Sequence, residues 1–367
     1  MGFAENRYLI QGPIFTFLLL FYNYFIISSL AYILEFKITT LEIISIILIL
    51  AIIRLVPLRI EMSKTHLITQ YLSEFSNLWL WASFMYLFEI IILYFTSFIV
   101  KIPFNIKLAI VLLVPLFGAI GYYIAHNNYI NEHDIYLKEK SERKSKNISI
   151  IHISDMHIGS IRKKRTIIQL VRNINMIASE KDNAITIISG DAADGSCPIL
   201  PDTFIDFKDV KTPVIFTPGN HDYYQGIDNV KLSLKNAGVT ILDNENLILD
   251  DENLNIIGFK FSFNEKEQEE YTLPIANDKN NVLIYHVPLY WEEFRKIGVD
   301  LQLSGHTHGG QFFPATLFVG RQFKYNRGLF NKNNSYLSVT DGVGTFAPPI
   351  RLGTQSEIAV LNIHRES

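Results

Sequence analysis

The sequence has little cysteine and no large excess of charge of either sign. Cys197 is the single cysteine among 367 residues, so an intrachain disulfide is excluded. Lysine and arginine number 33 against 36 acidic residues, which gives a formal net charge of −3. No basic excess is available to neutralise the phosphates of a nucleic acid, and no nucleic-acid partner is therefore expected.

Charged residues are also scarce before residue 126, where long apolar runs dominate. A helix needs about 20 apolar residues to cross the hydrocarbon core of a bilayer. Four runs reach this length, at about residues 13–34, 39–58, 78–100 and 106–125. The second run is the weakest, because Glu42 and Arg54 lie near its ends, where Arg54 can extend toward the lipid head groups. We therefore predict a transmembrane helical region over residues 1–126 with about four spans, in preference to a buried helical core.

Lysine and arginine residues in the flanks of these runs predict the orientation of the chain. If the chain has four spans, three of these basic residues lie on one side of the membrane, namely Lys37, Lys101 and Lys107. Nine share the other side with the N-terminus and the C-terminal domain: Arg7, Arg54, Arg59, Lys64, Lys138, Lys140, Arg143, Lys144 and Lys146. This asymmetry predicts a multi-pass protein of the cytoplasmic membrane whose C-terminal domain lies in the cytoplasm.

Residues 127–147 are polar and charged, and we interpret them as a connector. The connector is either a helix at the interface, whose basic cluster contacts anionic membrane lipids, or a solvated linker. From residue 148 the pattern of apolar runs becomes that of a soluble α/β domain, over residues 148–367.

Five short apolar runs in this domain each end in a cluster of Asp, Asn or His. The runs lie at residues 148–153, 184–188, 214–216, 282–285 and 301–303, and residues 163–179 have helical spacing. Functional sites of open α/β sheets gather outside the carboxyl ends of the strands. Chance explains poorly why five of the ten histidines lie at such ends. The sequence therefore predicts a metal site at the strand ends.

The clusters occur in the order Asp-x-His, Gly-Asp, Gly-Asn-His-Asp, His and Gly-His-x-His. This ordered set resembles the calcineurin-like metallophosphoesterases over about residues 148–364. The resemblance implies an α/β fold, a four-layer αββα sandwich with two mixed sheets. Within the family, residues 191–195, 305–311, 325–329 and 342–344 are most similar to bacterial membrane-anchored members of the YkuE and YaeI type, which are related to UDP-2,3-diacylglucosamine hydrolases.

The resemblance assigns metal binding to seven residues and implies two divalent ions. One ion would bind Asp155, His157, Asp191 and His308, and the other Asp191, Asn220, His286 and His306. Carboxylate and imidazole ligands suit Mn²⁺, Fe²⁺, Zn²⁺ or Ni²⁺. Two such ions clamp the attacking and leaving oxygens of an in-line displacement, in which hydroxide attacks phosphorus.

Four further residues are candidates for catalysis or substrate binding. His221 resembles the catalytic histidine of the family, which donates a proton, and Asp222 is expected to orient it. The alternative for His221 is a purely loop-holding role. Arg327 and Arg351 are weaker candidates for binding a substrate phosphate, and both could equally be surface charges. Asp194 is either a partner of the site or a turn residue.

The resemblance thus implies a metal-dependent hydrolase of phosphate ester or diphosphate bonds. The membrane region favours a lipid-linked substrate such as UDP-2,3-diacylglucosamine, because an anchor raises the effective concentration of an enzyme near an insoluble substrate. One alternative is a phosphodiesterase or phosphatase of soluble substrates that is merely located at the membrane. A second is a catalytically inactive membrane scaffold or sensor, which the intact set of ligands disfavours.

Overall fold

The structure is a computed structural model that describes residues 3–63, 66–140, 145–224, 226–263 and 272–366. The chain forms two compact units, Met1–Ile120 and Gly121–Ser367. Of the charges used to predict the orientation, Lys64, Arg143, Lys144 and the side chain of Arg7 lie outside the described part.

The first unit is helical. Its helices are α1 (Phe3–Ile33), α2 (Thr40–Glu61), α3 (Leu67–Ser97), α4 (Phe104–Val111) and α5 (Leu113–His126), the last of which continues into the second unit. Among the described residues, three helical segments are long and apolar enough to cross a membrane: Thr40–Glu61, Leu67–Ser97 and Phe104–His126. Phe17–Ile33 is a shorter apolar helix. The predicted membrane region is therefore supported by three apolar helices.

These helices expose many of their large apolar side chains. Phe21, Leu48, Ile52, Ile92 and Phe95 are all exposed. Water-soluble proteins rarely expose contiguous apolar surface on this scale, whereas a membrane provides an apolar solvent for it. The exposure therefore favours a membrane region over a buried helical core.

The segment that we interpreted as a connector begins with a strand. Residues Asn128–Lys138 form β1, which pairs in parallel with the last strand, β12 (Ser356–Glu366). Ile135 and Leu137 of β1 are buried, while the residues between and beside them are exposed. This part of the connector is thus an edge strand of the soluble domain, and neither an interfacial helix nor a linker.

The second unit contains two six-stranded mixed sheets in its described part. The first has the order β1-β12-β2-β3-β4-β5, with β2 (Ile148–Ile153), β3 (Ala184–Ile188), β4 (Val214–Phe216) and β5 (Thr240–Ile241) parallel to one another. The second has the order β10-β11-β9-β8-β7-β6, and its strands are β6 (Glu245–Leu249), β7 (Leu254–Gly258), β8 (Asn280–Ile284), β9 (Val299–Ser304), β10 (Gly328–Lys332) and β11 (Ser335–Val339). Its edge strands β6 and β10 are antiparallel to their neighbours.

Helices cover the outer faces of both sheets. Helix α6 (Lys164–Ser179) buries Ile167, Ile174 and neighbouring residues at helical spacing against the first sheet, and α7 (Ile227–Asn236) packs on the same layer. The short helix α8 (Trp291–Phe294) follows β8, and its Phe294 packs on the second sheet. A second short helix, α9 (Val319–Gln322), precedes β10. Ile150, Ile187, Ile256, Ile284 and Leu303 belong to one buried cluster between the sheets. The αββα sandwich expected from the family resemblance is confirmed.

Candidate metal centre

All seven predicted ligands lie just beyond the carboxyl ends of strands. Asp155 and His157 follow β2, Asp191 follows β3 and Asn220 follows β4. The second sheet contributes His286 after β8, and His306 and His308 after β9. Because β2, β3 and β4 are parallel neighbours, and β8 and β9 are as well, the ligands of each sheet emerge at a single edge.

The first group of ligands consists of Asp155, His157 and His308. Oδ1 of Asp155 lies 3.6 Å from Nε2 of His157 and 3.4 Å from Nε2 of His308. The two Nε2 atoms are 3.1 Å apart. One cation could contact all three atoms, since the side chains are buried and point at one another.

The second group consists of Asp191, His286 and His306, with Asn220 beside it. Oδ2 of Asp191 lies 3.1 Å from Nε2 of His286, and Nδ1 of His306 lies 3.0 Å from Oδ1 of Asn220. The same Oδ2 atom is 4.0 Å from Nε2 of His157 in the first group. Asp191 therefore faces both groups, as a bridging carboxylate would.

Unpaired buried atoms show that these residues fit metal ions. Oδ1 of Asp155 and Nε2 of His286 have no hydrogen-bond partner among the described residues, although both side chains are completely buried. Nδ1 of His286 lies 2.7 Å from the carbonyl of Ser189, to which it donates. This bond turns the Nε2 lone pair of neutral His286 toward Asp191, an arrangement typical of metal-bound histidine.

The electrostatics of these residues also favour a cation. Burial lowers the pKa of His286, but the carboxylates of Asp191 and Asp155 outweigh it and raise this pKa to about 10. Burial lowers the pKa of His306 to about 4, which keeps its imidazole neutral and able to bind a metal. Two buried aspartates thus create a negative centre that attracts either a proton or a metal ion.

The backbone is strained at five of the seven positions. Asp155, His157, Asp191, His306 and His308 have φ angles of 54°, 48°, 53°, 71° and 49°. Such left-handed conformations cost about 1–3 kcal/mol each for residues other than glycine and cluster at functional sites. Glycine allows the ligand loops to approach closely, since a Cβ at Gly219 would lie 2.3 Å from Oδ1 of Asp191.

His221 borders the site without belonging to either of the ligand sets predicted from the sequence. Its backbone N–H donates to Oδ1 of Asp191 at 2.8 Å, and its ring Nδ1 donates to the carbonyl of Asp194 at 3.0 Å. The ring stands perpendicular to that of His157, with centroids 4.8 Å apart. Burial lowers the pKa of His221. Nε2 is therefore the ring nitrogen that these hydrogen bonds leave available.

Asp222 acts differently from the expectation that it orients His221. Its completely buried carboxylate accepts backbone N–H groups from Asp191, Ala193 and Gly219, at 2.9, 3.0 and 2.8 Å. Burial raises the pKa of Asp222 to about 7. It holds together the two loops that carry Asp191 and Asn220, and the backbone carbonyl of Asp194 is the group that orients His221.

Arg351 is neither a surface charge nor a candidate for binding a substrate phosphate, contrary to both expectations from the sequence. It is completely buried, and its guanidinium donates to the carbonyls of Asp341, Gly342 and Gly344 and to the hydroxyl of Thr354. These bonds leave it unavailable to a substrate phosphate. It fastens the last loop of the domain beside His308, whose Nδ1 lies 3.4 Å away.

Arg327, the other arginine considered for substrate binding, is partly engaged. It forms an ion pair with Asp341 at 3.1 Å and donates to the carbonyl of Gly353 at 2.8 Å.

An aromatic rim that the sequence does not predict lies beside His221 and is formed by Tyr224, Phe263 and Phe346. The rings of Tyr224 and Phe346 lie 4.8 and 5.1 Å from the His221 ring, and Phe263 stacks on Tyr224 at 6.0 Å. The three side chains are 55%, 62% and 53% exposed. No motif marks these residues, and only their apolar character at loop positions could have suggested a role.

Comparison with known proteins agrees with this geometry. Residues 148–310 match the family model described as calcineurin-like phosphoesterase. Two uncharacterized metallophosphoesterases of Helicobacter pylori strains are 32% and 29% identical, over 64% and 67% of this chain and 63% and 70% of their own length. A transmembrane protein with metallophosphoesterase domain from Bos taurus is 25% identical over 58% of this chain and 52% of its own length.

The chain thus spans less than two thirds of the length of two of these three relatives. The transmembrane name of the bovine relative and the three apolar helices together indicate membrane association. The match over residues 148–310, the ordered ligands and the two-sheet fold support an assignment of the soluble domain to the calcineurin-like metallophosphoesterase superfamily.

Proposed function

We propose that this protein is a membrane-anchored, two-metal hydrolase of a phosphate ester or diphosphate bond. The observation that carries the proposal is that side chains from five strand ends gather in candidate metal-binding groups, and that Oδ2 of Asp191, which groups with His286 and His306, also lies 4.0 Å from Nε2 of His157. Two bound divalent ions, Mn²⁺, Fe²⁺, Zn²⁺ or Ni²⁺, would activate water at neutral pH and neutralise charge on the phosphoryl oxygens.

The chain itself supplies a positioned proton donor. Since Nδ1 of His221 donates to the carbonyl of Asp194, the imidazolium form of His221 would give its Nε2 proton to the leaving oxygen of the substrate and return to the neutral ring. Asp222 fixes the loop from which His221 projects, through its bonds to the backbone of Asp191 and Gly219.

The aromatic rim supports a substrate with an apolar portion. Tyr224, Phe263 and Phe346 expose large rings beside His221, the proposed proton donor. Exposed apolar surface at a site typically binds an apolar part of the ligand. With the apolar helices and the resemblance to the YkuE and YaeI type, this favours a lipid-linked phosphate, and UDP-2,3-diacylglucosamine is the specific candidate.

The flanking charges support a cytoplasmic position for the catalytic domain, because with four spans and without Arg54 eight lysines and arginines would lie on its side against three on the other. The runner-up function is a phosphodiesterase or phosphatase of soluble substrates located at the membrane. The third candidate function is a catalytically inactive membrane scaffold or sensor, and the complete ligand set argues against it.

The test uses the full chain in mild detergent with Mn²⁺, beside D191A and a D243N control. Asp243 pairs with Lys231 and Lys260 at the surface and belongs to neither ligand group. We expect wild type and D243N to hydrolyse UDP-2,3-diacylglucosamine in preference to bis-p-nitrophenyl phosphate, and D191A to hydrolyse neither. Cleavage of the soluble ester alone would support the runner-up, and a folded wild type inactive with all four metals would overturn the enzyme proposal.

A further inference from the structure

A cleft within the helical unit is largely apolar but contains one charged side chain, that of Arg54. The cleft is narrow and partly open, and α1, α2 and α3 line it. Its polar lining residues are Asn23, Arg54, Ser76, Trp79 and Ser83, and its apolar ones include Leu19, Leu20, Ile47, Leu50 and Leu55.

Arg54 is placed well inside its helix. It lies seven residues before Glu61, the last residue of α2, which corresponds to about 10 Å at 1.5 Å per residue. From the sequence we expected this side chain to extend toward the head groups. It turns instead toward α3, where Nη1 donates to the hydroxyl of Ser76 at 3.2 Å.

The guanidinium of Arg54 lacks an anion. Among the described residues it forms no ion pair, and Ser76 is its one hydrogen-bond partner. A guanidinium has five N–H donors, so most of them are unused. A charged group at this depth of a membrane helix is costly unless it is paired, and such residues commonly mark binding sites.

The other polar groups of the cleft do not supply the missing acceptor. Asn23 accepts the indole N–H of Trp79 at 2.7 Å and donates to the carbonyl of Leu19 at 2.8 Å. Ser83 donates to the carbonyl of Leu80 at 2.9 Å. Asn23, Trp79 and Ser83 thus have partners of their own, and Arg54 is the charged group of the cleft without an anion.

We infer that this cleft binds one anionic phospholipid, whose phosphate pairs with Arg54 and whose acyl chain lies along the leucine and isoleucine side chains. Arginine binds phosphate oxygens through two parallel N–H donors, a geometry that Ser76 alone cannot satisfy. The site is formed entirely by the helical unit, so its existence does not rest on the catalytic activity proposed for the soluble domain.

Native mass spectrometry of the delipidated full chain in detergent tests this inference. The probes are phosphatidylglycerol, phosphatidylcholine and inorganic phosphate, and the variants are R54Q and R59Q. Arg59 is a matched control, because it is an exposed arginine of the same helix. We expect wild type and R59Q to retain one phosphatidylglycerol per chain, and R54Q to bind it about tenfold more weakly.

Equal retention of phosphatidylglycerol by R54Q and wild type would overturn the inference. Equal retention of phosphatidylcholine, or displacement of the lipid by millimolar inorganic phosphate, would overturn its anionic-lipid assignment. Should R54Q fail to fold, A51F decides the matter, because Ala51 lines the cleft and a phenylalanine there fills it while Arg54 is kept. Unchanged lipid binding by A51F would refute the site.

Discussion

The D191N substitution, which replaces the shared carboxylate, should greatly reduce the stabilisation of the soluble domain by Mn²⁺. Oδ2 of Asp191 lies 3.1 Å from Nε2 of His286 and 4.0 Å from Nε2 of His157, so the substitution removes one charged ligand from both groups. Loss of a partner that merely orients a metal ligand lowers metal affinity by about 10–100-fold. For a direct ligand we take about 100-fold as a lower bound.

The expected magnitude follows from mass action. At a Mn²⁺ concentration about 100 times its Kd, binding stabilises the native wild type by about 2.7 kcal/mol. With a Kd raised about 100-fold, the same concentration stabilises D191N by only about 0.4 kcal/mol. Since 1 kcal/mol shifts the Tm of a domain of this size by about 2–4 °C, Mn²⁺ should raise Tm by about 5–11 °C in wild type and by about 1–2 °C in D191N.

The assay is thermal unfolding of the full chain in detergent, with Mn²⁺ and after chelation, followed by circular dichroism. D243N is the matched control, because it removes a carboxylate that pairs with Lys231 near the surface. This variant should show the full wild-type shift. An equal Mn²⁺-induced shift in D191N and wild type would refute the reasoning that Asp191 contributes to both groups.

Three further predictions follow from the same contacts. H221A should lower the rate of cleavage of alkyl phosphate esters by about 10²–10⁴-fold and that of p-nitrophenyl esters much less, because the alkoxide is the poorer leaving group and needs a proton. Equal losses of rate for both esters in paired kinetic assays would exclude the donor role. F346A should raise KM for UDP-2,3-diacylglucosamine at least about threefold and leave KM for bis-p-nitrophenyl phosphate unchanged, since the ring is 53% exposed beside His221, and parallel changes would argue against an apolar subsite. Burial lowers the pKa of His152 to about 3. As the pH falls below about 6.5, this histidine therefore takes up a proton in the unfolded chain but not in the folded one. The free energy of unfolding of wild type should fall by about 2 kcal/mol between pH 7 and pH 5 because of this group. Denaturant unfolding of the folded H152Q variant should show a flatter pH profile in that range, and an unchanged slope would refute the assignment.

The strand ends were predictable because their signal is local. Each apolar run stops at a polar cluster, and this boundary is visible in the sequence around Asp155, Asp191 and His286. That these clusters come together follows from parallel strands sharing one edge of a sheet. The family resemblance supplied the second sheet and the sharing of Asp191 between two ions.

The errors arose where the decisive contact is distant in sequence. Strand β1 pairs with β12, in a register that places Asn128 beside Ser356. No feature of the sequence near residue 128 indicates this pairing. Arg351 was taken for a surface or substrate-binding charge because its sequence neighbours do not reveal that three backbone carbonyls enclose it. Burial of a charged residue depends on loops that fold around it, which a local pattern cannot encode.

Metal content of the purified full chain tests the central claim most directly. After loading with Mn²⁺ and removal of free metal, elemental analysis of the protein should find two ions per chain in wild type. D191A should hold fewer than one, because both groups lose a ligand. A folded wild type that retains no ion, or a D191A variant that retains as many as wild type, would contradict a two-metal site built around Asp191.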